Sequence, residues 1–168
     1  MSRENRAKVV SEATDLVPIM RAVDSDTKRK LFIKLTKDWL TEEDVEKEFG
    51  QEGARAAFFF EKMKLVRTKW LPTDKGPLKA YKTFYKSFHI DITVPVLDLT
   101  EVLQAATMSE ENFKDLENKI LEQIQGGEGF FGTIATNLQC TPTFLKGIVK
   151  RSSLLEYKGH RIELAKKR

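Results

Sequence analysis

Apolar residues recur at three- and four-residue steps through the first sixty positions. Val9, Val10, Ala13, Leu16, Val17 and Met20 fit one buried face of a helix, which Pro18 is expected to kink or end. A second helix is predicted from about Ser25 to Trp39, with "DSD" as cap material and Leu31, Phe32, Leu35 and Trp39 as its stripe. Thr41 followed by three acids marks a third helix start, Gly50 a stop, and a further helix begins at once from Gln51. The period then changes. "LVRTKW" (65–70) is strand-like, "LPTDKGPL" is turn material, and "KAYKTFYKSFHIDITV" (79–94) is rich in aromatic and β-branched residues.

Helix, turn, helix, strand, turn, strand is the order of a winged helix-turn-helix. In such a unit of roughly 20 residues, apolar side chains belong near positions 4, 8, 15 and 18, with a small residue at the turn near 9. Counted from Glu42, those positions hold Val45, Phe49, Ala56 and Phe59, with Gly50 at the turn. Counted from Phe131, they hold Ile134, Leu138, Leu145 and Ile148, with small Ala135 where the two helices must approach closely and Gln139 in place of the turn glycine. The flanks of this second match agree. "SEENFKDLENKILEQIQ" places Phe113, Leu116, Ile120 and Ile124 on one helical face, and "LLEYKGHRIELA" reads as strand, "KGH" turn, strand.

The predicted fold class is therefore mainly α with small β-hairpin wings, an α+β tandem winged helix-turn-helix. A first domain is expected over 1–94 and a second over 109–168, joined across 95–108 by "VPVLDLTEVLQAATM", whose apolar character predicts a packed helix near 99–107 rather than a free tether.

Charge sharpens the picture. The net charge of +4 hides a segregation: residues 67–86 hold six bases against one acid, residues 87–143 two bases against nine acids, and residues 144–168 eight bases against two acids. Several cations on one surface suit a polyanion, although solvated faces would give the same blocks. In the second unit the helix from Pro142 presents Thr141, Thr143, Lys146, Lys150 and Arg151, and its wing Lys158, His160 and Arg161. In the first, the helix offers Gln51, Glu52, Arg55 and Lys62, and the wing Arg67, Lys69, Lys75 and Lys79, so there the wing is the stronger candidate. The expected contact set with double-stranded DNA is Gln51, Arg55, Arg67, Lys69, Lys75, Lys79, Thr141, Thr143, Lys146, Lys150, Arg151, Lys158, His160 and Arg161.

Other features have plainer explanations. Phe58, Phe59 and Phe60 cannot all face one side of a helix, and one or two are expected in the core. Trp70 and Tyr81 either pack across the wing, the favoured expectation, or stack on bases. Cys140 has no second cysteine or nearby histidine in sequence and reads as a small structural residue. His160 either contacts phosphate or is simply exposed at a hairpin tip. One cysteine and two distant histidines supply no metal set, and no nucleophile-base pair or phosphate-cradling glycine loop appears, so neither cofactor nor enzymatic activity is expected. The longest apolar runs fall short of a membrane span and the start lacks the apolar centre of a secretion signal, which predicts a cytoplasmic protein.

With these residues identified, the chain resembles the archaeal ArsR-like winged-helix transcription regulators over about residues 24–93. "TEEDVEKEFGQEGARAAFFFEKMKLV" lies in the helix-turn-helix place and "DKGPLKAYKTFYKSFHIDI" looks like the Gly-Pro, Lys-Tyr wing of many archaeal members. The resemblance implies a dimeric, operator-binding repressor or activator. The paired cysteines or cysteine, histidine and acid clusters of metal-sensing members are missing, and the second winged helix lies outside the simple family pattern. The functional expectation is a sequence-specific double-stranded DNA-binding regulator; the alternative is a winged-helix scaffold for protein partners, to which the acids around Glu52 would suit the first unit.

Overall fold

The first departure from the expected pattern comes at Val9. In the computed structural model, which describes residues 6–166, Ala7–Val10 form strand β1 with Val9 exposed and Val10 buried, the alternation of a strand and not the stripe of a helix. A single 3-10 turn at Ala13–Asp15 leads into α1 (Leu16–Ala22). Pro18 therefore sits in the first turn of α1, where its missing N–H forfeits no helical hydrogen bond, so it neither kinks nor ends the helix.

Among the described residues the chain forms seven α-helices and seven strands, a mixed α/β arrangement consistent with a winged helix. It divides into two units. Among the described residues, 6–9 and Ala22–Ile90 make the first; Val10–Arg21 and 91–166 make the second.

The first unit contains α2 (Asp26–Lys37), β2 (Leu40–Thr41), α3 (Glu42–Lys62), β3 (Val66–Thr73), β4 (Gly76–Thr83) and β5 (Ser87–Ile90), which pairs with β1. Ser25 caps α2 by accepting from the Lys28 N–H at 3.2 Å. Thr41 and Asp44 form a reciprocal capping box at the start of α3, and the hydrogen bond from the Thr41 backbone N–H is the main reason the Asp44 carboxyl is held below its ordinary pKa. Gly50 interrupts α3 with φ 65° and ψ −160°, so 42–49 and 51–62 are two arms of a bend. The sheet runs β2-β4-β3, antiparallel throughout, with Leu40 opposite Tyr81 and Trp70 opposite Lys79. Leu31, Leu35, Val45, Ala56 and Phe60 fill the core, where Phe32 meets Phe60 edge-on at 5.3 Å. Of the three consecutive phenylalanines, Phe59 and Phe60 are buried and Phe58 is half-buried.

The second unit contains α4 (Val96–Thr107), α5 (Glu110–Gln125), α6 (Phe131–Asn137), α7 (Pro142–Arg151), β6 (Leu155–Lys158) and β7 (Arg161–Leu164), the last two an antiparallel hairpin. Its core joins Val102, Ala105, Phe113, Ile120, Ile134, Leu145 and Ile148 with Val17 from α1. The boundaries thus differ from those expected. Residues 10–21 group with the second unit, Val17 entering its core, and the packed helix expected near 99–107 is α4, whose Val102, Ala105 and Ala106 are buried in that same core. No helix among the described residues is long and apolar enough to cross a membrane.

Candidate nucleic-acid interface

The 42–61 and 131–150 segments both fold as two helices around a bend, and the apolar positions read from spacing are inside. Val45, Ala56 and Phe59 are buried and Phe49 packs on the first core; Ile134, Leu145 and Ile148 are buried and Leu138 packs on the second. The ninth position has positive φ in both, 65° at Gly50 and 53° at Gln139. Gln139 thus takes the glycine's place with φ of the same sign.

In the first unit the outer arm of the bend presents Gln51 and Arg55 to solvent. Gln51 donates to Glu46 at 2.6 Å, and neighbouring Glu52 accepts from the Ser25 hydroxyl at 2.7 Å. Arg67 and Lys69 are exposed on β3 and both lie over the Trp39 ring, at 5.2 and 4.1 Å from its centroid. These cation–π contacts align two charges while leaving them in water. Lys75 is exposed at the hairpin turn, which the Thr73 hydroxyl braces by accepting from the Lys75 N–H at 3.3 Å. Lys79 behaves differently: it is only 7 % exposed and its amine meets Glu61 at 2.7 Å, making it an internal ion pair rather than an outward cation. Trp70 and Tyr81 do not pair. Trp70 opposes Lys79 and is 65 % exposed, whereas Tyr81 opposes Thr68 and is buried, its hydroxyl donating to Glu42 at 3.1 Å. Burial first, then the Glu42 charge, holds that phenol protonated far above its ordinary range.

In the second unit α7 is enclosed. Gly147 faces α4 so closely that an added Cβ would stand 2.9 Å from the Ala105 Cβ. Thr141 caps α7 by accepting from the Phe144 N–H at 3.2 Å and donates to Glu101 at 2.7 Å, and Thr143 is half-buried. Lys146 meets Glu12 at 2.8 Å; Lys150 meets Asp15 at 2.5 Å, Thr14 at 3.0 Å and Glu12 at 3.4 Å. The hydrogen bond from Lys146, then the Lys150 charge, lowers the Glu12 pKa. Arg151, expected on the surface, is 5 % exposed. Its guanidinium donates to the Ala105 and Met108 carbonyls at 3.0 and 2.9 Å and to Glu110 at 3.0 Å, over the Phe113 ring. It completes the C-terminal turn of α4, whose last carbonyls lack helical donors.

The β6–β7 hairpin stays outward. Lys158, His160 and Arg161 are exposed, with Glu163 at 3.8 Å from Lys158, and the His160 backbone carbonyl accepts from the Phe131 N–H at 2.9 Å. Lys167 and Arg168 of the C-terminal basic block lie outside the described residues. Half-burial raises the Cys140 pKa, and the Glu101 charge adds to it, which keeps the thiol protonated. Among the described residues no three His, Cys, Asp or Glu side chains are grouped as a metal would require.

Charge counting along the chain misses the counter-charges. Glu12 and Asp15 lie more than a hundred residues before Lys146 and Lys150, and no local pattern links them. Trp39 is equally hidden, since its stripe position gives it a core role and not that of a platform for Arg67 and Lys69.

In comparisons with known proteins, a family model described as ArsR transcriptional regulator matches residues 10–166. No curated protein and no solved structure matched the chain.

Proposed function

We propose that this chain, which belongs to the ArsR transcriptional regulator family, is a sequence-specific double-stranded DNA-binding regulator of transcription. Its two bends and hairpins are read as tandem winged helix-turn-helix units. The observation that carries the reading is the first unit's combination of an exposed outer helix with a wing whose Arg67, Lys69 and Lys75 are free to meet phosphate. Gln51 and Arg55 open the 51–62 arm, where a recognition helix presents side chains to base edges in the major groove. The wing cations then set register on the backbone, a contribution to affinity more than to sequence choice. Lys158, His160 and Arg161 are the second unit's contribution. Lys79 and Arg151 act instead as internal ion-pair and capping residues, and Thr141, Thr143, Lys146 and Lys150 contribute to packing around α7.

The protein is taken to act without enzymatic activity or cofactor, in the cytoplasm, as a homodimer, in the manner of the archaeal regulators it resembles. The enclosure of α7 favours a second role beside DNA binding: the second unit, with its reading helix covered, serves as an interaction scaffold.

A salt titration tests the proposal, using the gene's own upstream duplex and a random duplex. Tighter binding upstream, with affinity falling steeply as salt rises, is the expected result; replacing Arg67 and Lys69 by Ala lowers the log–log salt slope by about one for each phosphate no longer neutralised. No binding to either duplex at low salt would turn the reading to the scaffold alone.

A further inference from the structure

The outer half of the β3–β4 hairpin carries a side chain that phosphate binding leaves unused. β2 pairs with β4 only at Tyr81 and Ala80, so from the Trp70–Lys79 pair to the Thr73–Gly76 pair the hairpin has no third strand. Trp70 stands at the root of that two-stranded projection and is 65 % exposed. Opposed residues of an antiparallel pair share a face, so the long or aromatic side chains able to cover the indole from β4 are Lys79 and the diagonal Tyr81. Both are turned inward, Lys79 to Glu61 at 2.7 Å and Tyr81 to Glu42 at 3.1 Å. Among the described residues no ring or cation is stacked on Trp70, in contrast to Trp39 beneath Arg67 and Lys69.

An indole left in water forgoes the largest burial any side chain offers. Here it is set in a stretch, 67–86, with six bases and one acid. A partner that suits both features must be strongly anionic at its rim and apolar within. Duplex DNA has that form: phosphates border a minor groove walled by sugars and floored by base edges, into which apolar side chains can be wedged.

We propose that Trp70 enters the minor groove as an apolar wedge when the wing is bound, while Lys75 at the hairpin turn and, from the hairpin's other face, Arg67 and Lys69 meet the bordering phosphates. The inference rests on the DNA-binding reading above and adds a contact that senses groove width and the ease of opening a base step. It predicts two signatures that a phosphate contact lacks. The indole itself senses the duplex, and its removal leaves the salt dependence unchanged because it neutralises no charge.

The experiment uses the full chain and a fluorescently labelled upstream duplex. In Trp39→Phe, which leaves Trp70 as the one indole, emission is quenched as duplex is added. Trp70→Ala binds about tenfold more weakly with the same log–log salt slope as the native protein, and Trp70→Phe falls between. Native affinity in Trp70→Ala, with unmoved emission in Trp39→Phe while anisotropy reports binding, would overturn the wedge and leave the regulator reading standing. An emission shift that follows protein concentration without DNA would assign Trp70 to a contact between copies and overturn the wedge. Failure of the native protein to bind the duplex would overturn both readings.

Discussion

The two helix-turn-helix segments obey one spacing rule and yet differ in what they leave exposed. In the first unit the 51–62 arm keeps Gln51 and Arg55 in solvent, and Arg67, Lys69 and Lys75 stand exposed on the wing. In the second, α7 carries more positive charge in sequence, but Lys146 and Lys150 are neutralised by Glu12 and Asp15 and Arg151 is consumed in capping α4. Local basicity is thus a poor guide to an interface. A lysine's availability depends on which acids the fold brings to it, and the fold brings them from far along the chain.

That contrast can be broken most directly at Arg151. Arg151→Glu sets a carboxylate beside the Ala105 and Met108 carbonyls and Glu110, which should cost about 4 kcal/mol or more and unfold the second unit. Thermal unfolding measures it. An unchanged midpoint with lost DNA binding would make α7 a reading helix after all, equal to the first unit's.

Ala135→Leu asks whether the second bend is packed as its spacing implies. Ala135 is buried in the core between α6 and its neighbours, and the extra methylenes should destabilise by about 1–3 kcal/mol. Chemical denaturation that finds no change would show that the close approach at this position is slack.

The ninth positions sharpen the comparison further. Gly50→Gln should destabilise the first bend by about 1–3 kcal/mol, since φ 65° with ψ −160° is a combination essentially confined to glycine. Gln139→Gly should stabilise the second by about 1 kcal/mol or less, because relief at φ 53° is offset by the greater freedom of an unfolded glycine. Equal and negligible effects at both sites would mean that the bends do not constrain these residues.

The smallest effect concerns pH. The Glu12 pKa is lowered in the folded chain, so its contribution is full above the unfolded value of 4.5 and is lost as pH falls through the lower folded value. Glu12→Gln should remove a small part of the acid-side loss of stability and leave the neutral-pH profile nearly flat, because Glu12 is largely exposed. A change centred near neutral pH would point to another group.

How much was legible follows from how far each signal reaches. Periodicity located α2, both bends and both hairpins, because side chains three, four or two residues apart report on their own element. It failed at Val9 and Val10, because two adjacent apolar residues fix no period by themselves and pairing with Ser87–Ile90 makes them part of a strand. It failed again at Lys79, whose place in a basic wing concealed the Glu61 carboxylate waiting on α3.

By itself, then, the sequence determined the two apolar spacings, the Thr41 and Ser25 caps and the bend after Phe49, all of them local properties of adjacent residues, whereas "LPTDKGPL", expected as turn, is paired strand except at Asp74 and Lys75. Only the tertiary structure decided which cations face water. Opposite charges attract according to distance in space, and the chain's path, not its order, brings Glu12 to Lys146, Glu61 to Lys79 and the open end of α4 to Arg151.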